Sequence, residues 1–166
     1  MKKHIGIIFV IFFTACTVSY KFSGASIDYS KTKTISVSDF PNRALPVNPM
    51  LSQQFSEALR ELYSRQTRLR MISSGGDMQL SGEIVGYDIS PMSMRSDGLA
   101  AETKLTVSVR VQYVNAAFPS KDFEKTFSAY QVFPSTEMFS TVEAQLCREI
   151  IKEITENIFN ATAADW

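Results

Sequence analysis

The amino-acid sequence predicts an α+β fold, a two-layer sandwich with two helices packed on one face of a mostly antiparallel four-stranded sheet, in the order β-α-β-β-β-α. Three observations lead there. Several stretches alternate apolar and polar residues with a period of two, as half-buried strands do. Two others carry an apolar stripe at helical spacing. Turn residues between consecutive strand patterns favour hairpins, and helical stripes and inner strand faces must bury one another.

The elements are taken in chain order. Ile35 and Val37 alternate with Thr34, Ser36 and Ser38, giving a strand from Thr34 to Phe40. The three prolines between Pro41 and Pro49 require a loop. Asn48-Pro49 then reads as an N-cap followed by proline at the first helical position. Leu51, Phe55, Ala58, Leu59 and Leu62 form the stripe of a helix from Met50 to about Gln66. Leu69 to Ile72 is a short apolar piece, ended by Ser73-Ser74-Gly75-Gly76-Asp77. That glycine pair is a turn, because a phosphate loop needs Gly-Lys-Ser/Thr at a helix start, whereas the residues after Asp77 carry a strand pattern. Met78, Leu80, Gly82 and Ile84 lie on one side of that strand, Gln79, Ser81 and Glu83 on the other.

The clearest alternation runs from Thr103 to Val114, with Leu105, Val107, Val109, Val111 and Tyr113 on one face and Lys104, Thr106, Ser108, Arg110 and Gln112 on the other. Phe123, Phe127, Ala129 and Phe133 repeat it after a turn at Ala116 to Lys121. Pro134 to Glu137 opens a second helix, whose stripe is Phe139, Val142, Leu146, Ile150, Ile154 and Ile158. Cys147 lies beside that stripe and is expected to be a packed thiol.

The N-terminus sets the chemistry available to the rest. Met1-Lys2-Lys3-His4 is a basic lead, and Ile5 to Phe13 is an apolar run too short for the ~20 residues that span a bilayer. Phe13-Thr14-Ala15-Cys16 resembles the lipobox of bacterial lipoproteins, with phenylalanine where leucine is usual. The expected organisation is a signal peptide over residues 1–15, a lipidated tether over 16–32, and one domain over 33–166. Cys16 is the expected lipidation site, and three acyl chains exceed the one that anchors only marginally.

Cleavage removes His4, the sole histidine, and two of 17 basic residues, leaving 15 against 17 acids and a formal charge of −2. Without imidazole, Ser-His and Cys-His nucleophiles and imidazole-bound metals are excluded. The charge balance argues against nucleic acid as a partner. No metal or other cofactor is expected. Glu83 and Glu102 are the nearest thing to a carboxylate pair, and among Lys104 and Arg110 they read as cross-strand decoration.

One loop stands out. Ser90 to Ala100 puts Met92, Met94 and Leu99 beside Arg95, where a solvent-facing hairpin tip is expected. Such a tip suits a small amphiphile or peptide as well as it suits methionines folded back on the sheet.

Several segments in combination resemble the LptE family of lipopolysaccharide-assembly lipoproteins, in the branch of Bacteroides-like bacteria. They are Tyr20 to Ser26, Phe40-Pro41-Asn42-Arg43-Ala44, Val47-Asn48-Pro49, Ser74 to Asp77 and Gly82 to Tyr87. The resemblance implies a non-enzymatic outer-membrane lipoprotein, and Thr17-Val18-Ser19, without the acidic run that resembles a surface-export signal, favours the periplasmic side. Such a protein plugs an LptD-type β-barrel, helps it assemble and contacts lipopolysaccharide in transit. It carries Cys16 over as the acylation site. Arg95, Lys104 and Arg110 are candidate contacts to phosphorylated lipid on chemical grounds alone. The rival expectation is a periplasm-facing lipoprotein that binds an amphiphile or peptide through Met92 to Leu99.

Overall fold

The computed structural model describes residues 27–46, 48–94 and 100–164. Two helices cover one face of a sheet with five strands: β1 (Thr34–Val37), α1 (Leu51–Gln66), β2 (Arg70–Ile72), β3 (Met78–Met94), β4 (Ala100–Asn115), β5 (Phe123–Pro134) and α2 (Phe139–Ala163). The spatial order is β2-β1-β3-β4-β5.

The two-layer α+β expectation holds, and two parts of it are corrected. The sheet is mixed and five-stranded, because β1 pairs parallel with both β2 and β3, while β3–β4 and β4–β5 are antiparallel. The order is β-α-β-β-β-β-α, the added strand being β2, which the sequence shows only as a short apolar piece. For β2 the physical cause is α1: a helix between two strands carries the chain back to the end from which it started, so the next strand runs in the same direction. For β3 it is residues 73–77, which bring the chain back across β1, Gly76 lying against Ile35 and Ser36, to start again at the level of Ile35.

Alternation in β4 places Leu105, Val107, Val109, Val111 and Tyr113 under the helices, each at most 2% exposed. In α2, Ile150, Ile154 and Ile158 are wholly buried, each burial stabilising by about 1.5–3 kcal/mol. Leu51, Phe55, Leu59 and Tyr63 are the buried stripe of α1, with Ala58 and Leu62 partly covered. The helices run parallel. Asn48, just before α1, meets Glu143 near the start of α2, and Tyr63 near the end of α1 bonds Thr162 near the end of α2.

The first helix begins later than expected, with Met50 at the N-cap. Asn48 still acts locally, its Oδ1 accepting the Met50 N–H at 3.0 Å, while its amide nitrogen reaches Glu143 at 2.8 Å. The first strand is also shorter, ending at Val37. Beyond it the chain follows β3 through isolated bonds, Ser38 N–H to the Leu80 carbonyl and Arg43 N–H to the Ile84 carbonyl, both 2.9 Å. Two serines of α1 hold Phe40: Ser56 Oγ accepts its N–H at 3.0 Å and Ser52 Oγ donates to its carbonyl at 2.6 Å. The Phe40 ring then fills the space above Gly82, where an added Cβ would lie 2.7 Å from it and 2.0 Å from the Arg110 carbonyl oxygen.

Gly76 belongs to the predicted turn. A Cβ there would meet the Ser36 backbone nitrogen at 2.7 Å, so the turn packs directly on β1. The next residue, Asp77, accepts the N–H groups of Lys33 and Thr34 and the Thr34 hydroxyl at 2.8–2.9 Å. These bonds hold its carboxyl below the usual carboxylate range.

Candidate functional site

The helices leave the opposite face of β3, β4 and β5 open. Register puts Glu83, Arg110 and Thr126 in one row, Gly86, Ser108 and Ser128 in the next, and Asp88, Thr106 and Tyr130 beyond them. The two serine hydroxyls bond each other at 2.8 Å. Small hydroxyl side chains of this kind make a flat surface with little charge. Ser36, by contrast, is buried, its hydroxyl accepting the Gly76 N–H at 3.4 Å.

Arg110 lies in the middle of this face and is already engaged. Its guanidinium is 3.2 Å from Glu83 and 4.0 Å from Glu124, and Glu83 also lies 4.0 Å from Arg43. All four side chains are substantially exposed, so each pair contributes about 0–1 kcal/mol. What the cluster does is cancel charge over a shallow hollow of about 290 Å³ between Gly82 and Gln112. Glu102 lies eight residues before Arg110, about 27 Å along β4, so Glu83 and Glu102 form no acid/base pair.

Lys104 sits three rows further out, opposite Ser90 and Val132. Its ammonium lies 5.6 Å from the centre of the half-exposed Tyr130 ring, and among the described residues no carboxylate pairs with it. The charge therefore remains available to an anion. The expected tip loop is largely strand: β3 runs on to Met94 and β4 starts at Ala100. Pro91 is tolerated because β1 has ended there and the ladder is irregular between Pro91 and Ser93. Met92 is a strand residue, half exposed, and Met94 ends that strand. Arg95, Leu99 and Cys16 lie outside the described residues.

The sequence did not single out the polar cluster under the loop before α1. Tyr87 donates its hydroxyl to Glu143 Oε1 at 2.6 Å, and Asn48 Nδ2 donates to the same oxygen. Cys147 Sγ lies 3.8 Å from the Tyr87 hydroxyl and is 2% exposed, the packed thiol that its place beside the stripe predicts. Burial pushes the Cys147 thiol up, and burial followed by the Glu143 bond pushes the Tyr87 phenol up. The cluster ties loop, sheet and helix together, and no sequence signal marks it because its members are far apart in the chain.

Two further features complete the surface. A groove of about 430 Å³ between α1 and α2 has Ala58, Leu62 and Ile151 among its walls and Arg65, Arg148 and Lys152 around it. The large exposed apolar side chains Leu45, Met50, Ile89, Met92 and Met138 gather at the end where both helices begin. Among the described residues, no group of three or more His, Cys, Asp or Glu side chains is placed to hold a metal ion, and no helix is long and apolar enough to cross a membrane.

The fold recurs in solved lipoproteins. Rare lipoprotein B from Shewanella oneidensis aligns with a TM-score of 0.56 at 14% identity, over 78% of this chain and 92% of that one. Lipoprotein B from Nitrosomonas europaea gives 0.53 at 13%, over 76% and 79%. A minor lipoprotein from Acinetobacter baumannii gives 0.51 at 13%, over 76% and 89%. At such identities the likeness speaks to the fold alone. No curated protein matches the chain significantly. The LptE lipopolysaccharide-assembly family, however, matches residues 32–162, nearly the whole of the described domain. The chain belongs to the LptE family.

Proposed function

We propose that this protein is a non-enzymatic lipoprotein, acylated on Cys16 and held at the periplasmic side of the outer membrane. There it plugs an LptD-type β-barrel, helps that barrel assemble, and assists lipopolysaccharide on its way to the cell surface. The observation that carries this reading is the family match over residues 32–162. The open face of β3, β4 and β5 supports it. Hydroxyl side chains and charges of both signs suit contact with a polar lumen wall better than they suit a lipid-like substrate. Lys104, unpaired among the described residues, is the cation this reading assigns to phosphorylated lipid. Arg110, neutralised by Glu83 and Glu124, is assigned to the lumen wall.

Copurification tests the proposal. Full-length tagged protein should bring down a large outer-membrane β-barrel from detergent extracts, and its failure to do so removes the plug reading. The half-exposed Met92 favours a second reading, a lipoprotein that binds an amphiphile or peptide at Met92 to Leu99. Deleting that stretch leaves barrel capture largely intact under the plug reading. Under the second it abolishes ligand binding.

A further inference from the structure

The edges of the sheet are unequal. On one side β2 contributes three residues. On the other β5 contributes twelve, and among the described residues no strand pairs with its outer side. A long, open edge is a template for another strand unless charge, proline or a bulge blunts it. In β5 those devices stand at the ends, at Glu124, Lys125 and Pro134. The run Thr126 to Phe133 between them has neither charge nor proline and is rich in aromatic and β-branched residues.

We propose that this edge is filled by the protein's own N-terminal segment, residues 17–23, as a sixth strand antiparallel to β5. The first argument is place. Ile27 packs against the core at the turn joining β4 to β5, in a small hollow it shares with Tyr113, Phe118 and Thr162. Lys31 continues the contact, its ammonium 5.2 Å from the centre of the Phe118 ring. The chain before Ile27 thus leaves beside the start of β5. Ser26, Ala25 and Gly24 supply a link of about 10 Å to turn onto the edge.

Pattern and length agree. Val18, Tyr20 and Phe22 alternate with Ser19, Lys21 and Ser23, a strand period with one apolar side. That side would lie next to Phe127 and Ala129 at the margin of the helix layer. Residues 17–23 reach about 24 Å when extended and β5 is about 40 Å long, so the segment covers a little over half of the edge. Direction then fixes the position of Cys16. It emerges past the middle of β5, on the side facing the end that exposes Leu45, Met50, Ile89 and Met92. The inference does not depend on the barrel reading.

Hydrogen exchange on the full lipoprotein in detergent tests it. Amides of residues 18–23 should exchange at least about tenfold slower than an unstructured chain. Tyr20→Pro, which removes a ladder N–H outside the core, should speed exchange in both 18–23 and the outward amides of β5 by a similar factor. The β3–β4 hairpin should be unaffected. Two results overturn the proposal: unstructured exchange rates at 18–23, or β5 protection that is indifferent to Tyr20→Pro. Protection of β5 that fades on dilution while 18–23 exchange freely also overturns it, and assigns the edge to a second copy of the chain.

Discussion

Gly82 offers the sharpest test of how the first layer is assembled. In Gly82→Ala the new methyl group would sit 2.0 Å from the Arg110 carbonyl oxygen and 2.7 Å from the Phe40 ring. The ring is the softer neighbour, although Ser52 and Ser56 hold its backbone. The carbonyl belongs to the adjacent strand and can retreat only if the β3–β4 ladder opens around Glu83 and Arg110. Overpacking of this kind costs about 1–3 kcal/mol, and displacement of a paired strand puts the expectation at the upper end, about 3 kcal/mol. For a domain of this size that corresponds to a fall in Tm on the order of 6–12 °C. Urea denaturation followed by circular dichroism measures it. The double variant Gly82→Ala with Phe40→Leu discriminates between the two contacts. Because the backbone contact is the closer, shrinking the ring should recover less than half of the loss. A loss under about 0.5 kcal/mol for Gly82→Ala, or full recovery in the double variant, would refute the reasoning.

Four other outcomes are expected. Cys147 should resist maleimide at pH 8 in the folded protein and react at once in denaturant, since burial both covers the thiol and raises its pKa. Asp77 has a folded pKa depressed below its unfolded value, so its contribution is present above the unfolded pKa and fades as pH falls through the folded one. Asp77→Asn should therefore flatten the acid limb of a stability-against-pH curve and change little once the pH lies below the folded pKa. Thr32 is 1% exposed and its hydroxyl has no partner among the described residues. Thr32→Val should raise stability by up to about 1 kcal/mol in the same urea assay. Leu59→Ala, at a position with no exposed surface, should cost about 2–5 kcal/mol.

The sequence revealed each element that can be read from its own residues. The inner face of β4 alternates without a break from Leu105 to Tyr113, and every one of those residues is buried. The stripe of α2 was equally plain, and it carried the burial of Cys147 with it. What escaped depends on partners. Arg70 to Ile72 is too short to show a period and is a strand only because β1 lies alongside it. The parallel direction of β1 comes from the α1 crossover and from the return of residues 73–77 across it, but the turn residues suggested hairpins throughout. Gly82 fell on the apolar side of its strand in the pattern, yet nothing local announced that Phe40, 42 positions earlier, fills the gap. For the surface, Arg110 was a visible cation, and only register revealed that Glu83 and Glu124 neutralise it. The methionine segment was visible as composition but not as strand, because Pro91 hides the continuation of β3.

The parallel seat of β1 also bears on the order of assembly. The three strands β3, β4 and β5 pair with their neighbours in sequence and can zip up from two turns, at low loop-closure cost. β1 must instead slot between β2 and β3 after a whole helix has been placed, so its contacts arrive late on any inexpensive route. It is nonetheless the first of the five described strands to leave the ribosome. A strand made early should thus be the last to lock, and until it does, the sheet has a gap at the edge of β3 that another strand could occupy.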